Sequence, residues 1–424
     1  MRQSDVSQES EDCLNLNIHM KQLTFRVQKK VLVFIHGGGY LVGNSHDFVA
    51  VNFVNEHDVI VVTIQYRLGI LGFLSTGDEA SPGNYGLWDM TLALQWVKDN
   101  IASFGGDPSD VTISGESAGG SAVGYLSISP YTKNLFTRAY PQSGAPTSNF
   151  GKVITPQKHT LNFAKSVNCF DGDVSVSQDS ETTKKVVDCL RQVPVVNFTS
   201  YLGLFAIDDV GFAPTVDKDF IPRSPQQLLK DDDFLQKVGF FERSYLVGID
   251  NNENSVSKIY IDMTFKMMRM QEGVSDEEKE AMISGLVNSS IAFQLKSRFD
   301  KEVPKSVQDQ VTDWHDRRFG DDSLGTIHGV LAFLIPTIDF INAAARGKDT
   351  NVWLLHFNHY PRFMKGIQRG MCHGLDLMYF FDIPIEELEK YLTAGMDPKI
   401  GFDSEDKQIK ASFSSIIAEF TKTG

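Results

Sequence analysis

The sequence predicts an α/β fold, a mostly parallel central sheet with helices on both faces and a large helical insertion. Three observations carry that expectation. Short, unbroken apolar runs such as Val31-Leu32-Val33-Phe34-Ile35 have strand length and no polar alternation, as strands buried on both faces do. Helix-period segments lie between such runs, so strands and helices alternate. Val111-Thr112-Ile113-Ser114-Gly115-Glu116-Ser117-Ala118-Gly119-Gly120 runs from a β-branched strand through Gly-x-Ser-x-Gly into a helix-like stretch. With 424 residues, 42% of them hydrophobic, the chain can bury a large core.

Taken in order, the first strand is Val31–Ile35 and the second Val59–Ile64. Leu87, Met90, Leu94, Val97 and Ile101 recur in steps of three and four and mark one face of a helix, which Phe104-Gly105-Gly106-Asp107-Pro108 stops. The Val111 strand follows, then a strand over Phe136–Tyr140. Beyond Gly151, Thr155–Lys165 and Thr182–Arg191 read as helices, Phe212–Asp217 as an extended loop and Ser244–Ile249 as a strand. Helices are expected over Asp276–Val287, Val330–Ala345, Ile385–Leu392 and Ala411–Thr421, with a strand over Val352–Phe357. No linker composition separates these parts, so 1–424 reads as a single domain with its insertion after the first half of the sheet.

The Gly-x-Ser-x-Gly stretch is the chemical centre. A sharp strand-to-helix turn leaves no room for bulk, so Gly115 and Gly119 flank Ser117, and the turn lifts the serine hydroxyl above the strand end. The next N–H, that of Ala118, can then face an oxyanion. Upstream, His36-Gly37-Gly38-Gly39-Tyr40 follows a buried strand, and three glycines let backbone N–H groups turn into a cavity. In this strand–turn–helix context the acid and the base follow the serine, which excludes the four histidines before residue 117 and leaves six. Of these His373, in the glycine-flanked Arg369-Gly370-Met371-Cys372-His373-Gly374, is best placed on a loop above the sheet. For the acid, Asp250 and Glu253 both follow the end of the Ser244 strand, and spacing alone does not choose between them.

A formal charge of −14 argues against nucleic acid and anionic membrane surfaces as partners. The acidic runs Asp231-Asp232-Asp233 and Asp276-Glu277-Glu278 read as solvated faces or helix starts. The stretch Gly329–Ala345 is too short and too interrupted, by Pro336 and Asp339, to span a bilayer. No His-Glu-x-x-His occurs, and His356 and His359, three apart in or beside a strand, face opposite ways; no metal is expected. Cys169 and Cys189 are close enough to close a small loop, while Cys13 and Cys372 have no evident partner. Asn197 and Asn288 head glycosylation sequons, which with the cysteines suits a secreted protein, although Met1-Arg2-Gln3-Ser4-Asp5 opens no signal peptide.

These pieces together resemble the type B carboxylesterase family, the cholinesterase-like α/β-hydrolases. The resemblance rests on Ser10-Glu11-Asp12-Cys13-Leu14, on Pro82-Gly83-Asn84-Tyr85-Gly86-Leu87-Trp88-Asp89 through Pro108, on Gly115–Gly119, on Gln142-Ser143-Gly144 and on Gly370-Met371-Cys372-His373. It implies an α/β-hydrolase fold and a cofactor-free serine carboxylesterase acting on small-molecule esters. Ser117 would be the nucleophile, His373 the base and Glu253, five residues after Gly248, the acid. Gly38, Gly39 and Ala118 would supply the oxyanion donors. Glu116 and Ser143 would steady the acid and the histidine loop, and Cys169–Cys189 would be a disulfide. Asn254 stands where the family has glycine after the acid, Pro141 where it has a residue with an N–H, and Leu375 where an acidic residue is usual, although Asp376 remains. The family pattern extends further at both ends, with the partner of Cys13 expected upstream, so the full-length protein is expected in the secretory lumen or outside the cell. A non-catalytic adhesion or ligand-binding member of the family, or an inactive truncated product, is the alternative expectation.

Overall fold

A computed structural model describes residues 10–23, 27–201, 211–253, 291–299, 301–319, 329–362, 373–384 and 401–424. Among them seven strands form one sheet: β1 (Leu16–His19), β2 (Lys29–Ile35), β3 (Ile60–Ile64), β4 (Gly106–Glu116), β5 (Arg138–Gln142), β6 (Ser244–Asp250) and β7 (Val352–Phe357). The spatial order is β1-β3-β2-β4-β5-β6-β7. Every neighbouring pair is parallel except β1 with β3. The expected strands are all present, and β1 is an addition. Its Leu16-Asn17-Ile18-His19 is only half-buried at the sheet edge and carries no apolar run.

Strand β2 shows why an unbroken apolar run marks a central parallel strand. Val31, Val33 and Ile35 enter the core on one face of the sheet with Ile60, Val62 and Ile113, while Leu32 and Phe34 enter the other with Val61, Tyr140 and Leu246. Side chains alternate across the pleat, so burial on both faces demands apolar residues at consecutive positions.

Helices cover both faces. They include α1 (Val51–His57), α2 (Gly69–Phe73), α3 (Tyr85–Asn100), α4 (Ala118–Ile128), α5 (Pro156–Ser166) and α6 (Ser180–Leu190). The face of α3 expected inward is buried at Leu87, Met90, Leu94 and Val97. At its start Asn84 takes a left-handed conformation, φ 61°. Its side chain donates to the Thr215 carbonyl at 2.8 Å and accepts from the Thr215 N–H at 2.9 Å. The extended segment 212–217 is thereby pinned to the helix.

Helices α5 and α6 open the insertion, and the Cys169–Cys189 disulfide joins their far ends. The run Asp231-Asp232-Asp233 is a helix start: the Asp231 side chain caps Asp232–Lys237 by accepting from the Phe234 N–H. The expected helix over Val330–Ala345 has two parts, a wide π turn at Val330–Leu334 and an α-helix at Ile335–Ala344. Pro336 has no N–H for the Ala332 carbonyl, and beside it the Ile335 N–H reaches back five residues to Val330. The last helix, Ser404–Thr423, is held at its start by reciprocal bonds between Asp403 and Asp406. It packs Phe413, Ile417 and Phe420 against the β2 face that carries Leu32 and Phe34. The helices expected over 276–287 and 385–392, and Asn288, Cys372 and Asp276-Glu277-Glu278, lie outside the described residues. No helix among those described is long and apolar enough to cross a membrane.

Candidate active site

Ser117 stands between the end of β4 and the start of α4 with φ 59° and ψ −120°, a conformation L-residues rarely adopt. The packing around it shows what enforces that turn. A Cβ on Gly119 would lie 2.1 Å from the Ile35 carbonyl oxygen, one on Gly115 2.6 Å from the Gly119 backbone, and one on Gly144 2.1 Å from the Ser117 carbonyl oxygen. The Ser117 N–H donates to the Gln142 carbonyl at 2.9 Å, tying the turn to β5. The serine also occupies the position just before the N-terminal, electropositive end of α4, without a capping hydrogen bond from its side chain.

The glycine loop lies directly beside it. A Cβ on Gly37 would meet the Glu116 carbonyl at 2.6 Å and the Ser117 Cβ at 3.0 Å. Gly38 and Gly39 have φ of 101° and 64°, and Tyr40 follows at 62°. His36 anchors the loop from below. It stacks on Tyr66, 4.5 Å between ring centroids, donates through Nδ1 to the Gly37 carbonyl at 2.9 Å and accepts at its carbonyl from the Tyr66 hydroxyl. Burial lowers its pKa to about 4, so it is a neutral structural group at pH 7.

One histidine meets two buried glutamates. Nδ1 of His373 lies 2.5 Å from Oε2 of Glu253, and Nε2 lies 3.1 Å from Oε1 of Glu116. The other Glu253 oxygen accepts the Asp250 N–H at 2.9 Å, while Oδ2 of Asp250 accepts the Gly374 N–H at 3.1 Å. Of the two carboxylates that spacing left undecided, Glu253 therefore faces the imidazole, and Asp250 faces the peptide after it. Glu116, Asp250, Glu253 and Asp376 are all buried. Burial alone would favour neutral His373, but Glu116 and then Glu253 outweigh it and raise its pKa to about 9. Burial raises Glu116 to about 7, with His373 pulling down and Glu253 pushing up. Burial, Glu116 and Glu253 lift Asp376 to about 8, and burial with Asp376 lifts Asp250 well above the usual carboxyl range.

Two contacts had no sequence signal. Phe333, on the π turn, packs against the His373 ring at 4.6 Å between centroids and against Phe150 at 5.1 Å. Nothing in the apolar run Val330–Ile335 marks which residue reaches the histidine. The direct approach of Glu116 to Nε2 is likewise a matter of folding, since the two residues are far apart in sequence. Ser143, φ 46°, follows Gln142 at the end of β5, and its N–H donates to the Gly248 carbonyl at 3.0 Å. Asn197 is exposed on a short helix, Val196–Thr199. His359 pairs with Asp406 at 2.6 Å, and no group of three or more His, Cys, Asp or Glu side chains that could hold a metal ion occurs among the described residues.

A parallel sheet with an antiparallel edge strand, a strained serine between strand and helix, and a histidine loop beyond the strand ends together define an α/β-hydrolase. The chain belongs to the carboxylesterase family, whose model matches residues 1–424. It is 32% identical to mouse carboxylesterase 3B, over 98% of this chain and 67% of that protein. It is 34% identical to rat carboxylesterase 1E, over 89% of this chain and 65% of that protein. Human neuroligin-2 also matches, 28% identical over 99% of this chain and 49% of its own length. The chain thus spans between about half and two-thirds of these relatives.

Proposed function

We propose that the protein hydrolyses carboxylic esters of small molecules through an acyl-enzyme, with Ser117 as nucleophile, His373 as general base and Glu253 as the carboxylate behind it. The observation that carries this reading is the 2.5 Å contact between Glu253 and His373 Nδ1. Nε2 takes the Ser117 proton as Oγ attacks the ester carbonyl. The N–H groups of Gly38, Gly39 and Ala118 receive the oxyanion, each such donor contributing about 3–4 kcal/mol to the transition state. Collapse of the tetrahedral intermediate expels the alkoxide, which takes the proton back from Nε2. Water, deprotonated by the same nitrogen, then releases the acid. Glu116 and Ser143 steady the acid and the histidine loop.

The reading of a non-catalytic adhesion or ligand-binding protein draws on the neuroligin match. Against it stands the presence of serine, histidine and glutamate, with the last two in contact. An organophosphonate is expected to label Ser117 alone, and Ser117→Ala to abolish both labelling and p-nitrophenyl ester turnover. Labelling that survives the substitution, or that maps to Ser143, rejects the assignment.

A further inference from the structure

The acid and the base of the proposed triad both sit on loops, yet their contact needs a fixed separation. The three bonds around them close a ring. His373 meets Glu253 through Nδ1, Glu253 accepts the Asp250 N–H through its second oxygen, and Asp250 accepts the N–H of Gly374, the residue bonded to His373. We propose that Asp250 is a positioning residue that sets the distance between acid and base, holding the Glu253 carboxylate with its peptide N–H and the His373 loop with its side chain.

The position of Asp250 suits that task. It is the last residue of β6, in register with Phe357 of β7, and the following Asn251 N–H still donates to the Phe357 carbonyl at 3.0 Å. The ladder is the rigid reference from which both loops are measured. Asp250 and Glu253 are 3% and 4% exposed, so water competes little for these bonds. The ring also accounts for Gly374. At φ 77° it turns its N–H toward Asp250 in a conformation glycine takes without strain, and an added Cβ would lie 3.1 Å from Oε1 of Glu116. The role needs a hydrogen-bond acceptor, not a charge, so asparagine can perform it.

The proposal rests on the triad reading, and the experiment separates the two. Steady-state kinetics on a soluble p-nitrophenyl ester are compared for the purified chain and for Ser117→Ala, Glu253→Gln, Asp250→Ala and Asp250→Asn. Ser117→Ala is expected to be inactive and Glu253→Gln to lose most of kcat. Asp250→Ala is expected to lower kcat by about 100-fold, the scale of a misplacement near 1 Å, with KM within about twofold. Asp250→Asn is expected to recover most of that loss, which a general loss of stability would not predict. Wild-type kcat in Asp250→Ala, or an Asn variant no better than the Ala variant, overturns the proposal while leaving the triad intact. If circular dichroism shows Asp250→Ala unfolded, Asp250→Asn decides alone, and a kcat loss as large as that of Glu253→Gln overturns the proposal. Turnover that persists in Ser117→Ala overturns the triad reading and this proposal with it.

Discussion

Glu116 is adjacent to the proposed nucleophile in the chain and adjacent to its base in space. Its Oε1 lies 3.1 Å from Nε2 of His373, the nitrogen that must take the serine proton. When ionised, Glu116 holds that nitrogen protonated, and it contributes, with Glu253, to raising His373 to about 9. A base is active in its neutral form, so ester turnover is expected to rise with pH along a limb well above 6.5. Glu116→Gln removes one of the two nearby charges and is expected to move that limb to lower pH by about one unit, a shift worth ~1.4 kcal/mol of differential interaction. A pH profile of kcat/KM checks this, and a limb that stays in place or moves upward rejects it. The same residues show what the sequence could convey. Ser117 and His373 could be singled out as candidates because a strand–turn–helix and a glycine-flanked stretch are local patterns. The choice between Asp250 and Glu253 was not legible, outside the family resemblance, because it depends on which carboxylate a loop turns toward the imidazole. The approaches of Glu116 and Phe333 to His373 join remote segments and leave no periodicity to read.

Elements were legible in proportion to how completely their residues are buried. β2, β3 and β6 are apolar at consecutive positions because each is covered on both faces, whereas β1, half-buried at the edge, left no run. The π turn was not legible either, since a five-residue wide turn keeps the helix-like apolar run of Val330–Ile335. β5 runs two residues later than its apolar content suggests and includes Pro141. Its ladder to β6 pairs Ala139 with Tyr245 and then Gln142 with Gly248, passing over the Tyr140-Pro141 step, where proline has no N–H to give. The far end of the serine helix is held by a buried arginine. Arg243, just before β6, is buried under α4. It donates to the Ser127 carbonyl at 2.8 Å and to the Lys133 carbonyl at 3.1 Å, and it lies over the Phe136 ring at 4.3 Å. A cation at a helix C-terminus also complements the dipole. Arg243→Met fills the volume but leaves those carbonyls buried and unpaired, so a loss of about 3 kcal/mol or more is expected in urea unfolding. A loss below about 1 kcal/mol would show that water replaces the guanidinium there.

At the scale of the whole molecule, the buried carboxyl cluster and its histidine give stability a pH dependence whose sign can be worked out. Glu116, at about 7 against an ordinary 4.5, and Asp376, at about 8 against 3.8, bind protons more tightly in the folded chain. Asp250 is displaced in the same direction. His373, raised from 6.5 to about 9, also gains protons on folding, and the stability it contributes is complete below 6.5 and lost as pH rises through 9. His36 acts oppositely, because it is lowered to about 4 and unfolding lets it bind a proton, but its effect is confined to pH 4 to 6.5. Glu116 loses its excess proton between 4.5 and about 7, Asp376 between 3.8 and about 8 and His373 between 6.5 and about 9, and each proton held in excess by the folded state lowers stability by about 1.4 kcal/mol per pH unit as pH rises through its window. The net charge of −14 grows more negative over the same range and adds self-repulsion in the same direction. The melting temperature is accordingly expected to fall steadily from pH 6.5 to 9. Glu116→Gln should flatten the fall, since it removes one titrating carboxyl and lowers the pKa of His373 as well. Differential scanning calorimetry at several pH values tests both, and a melting temperature that is level or rises over this range, or an unchanged slope in Glu116→Gln, would show that the buried cluster does not hold these protons.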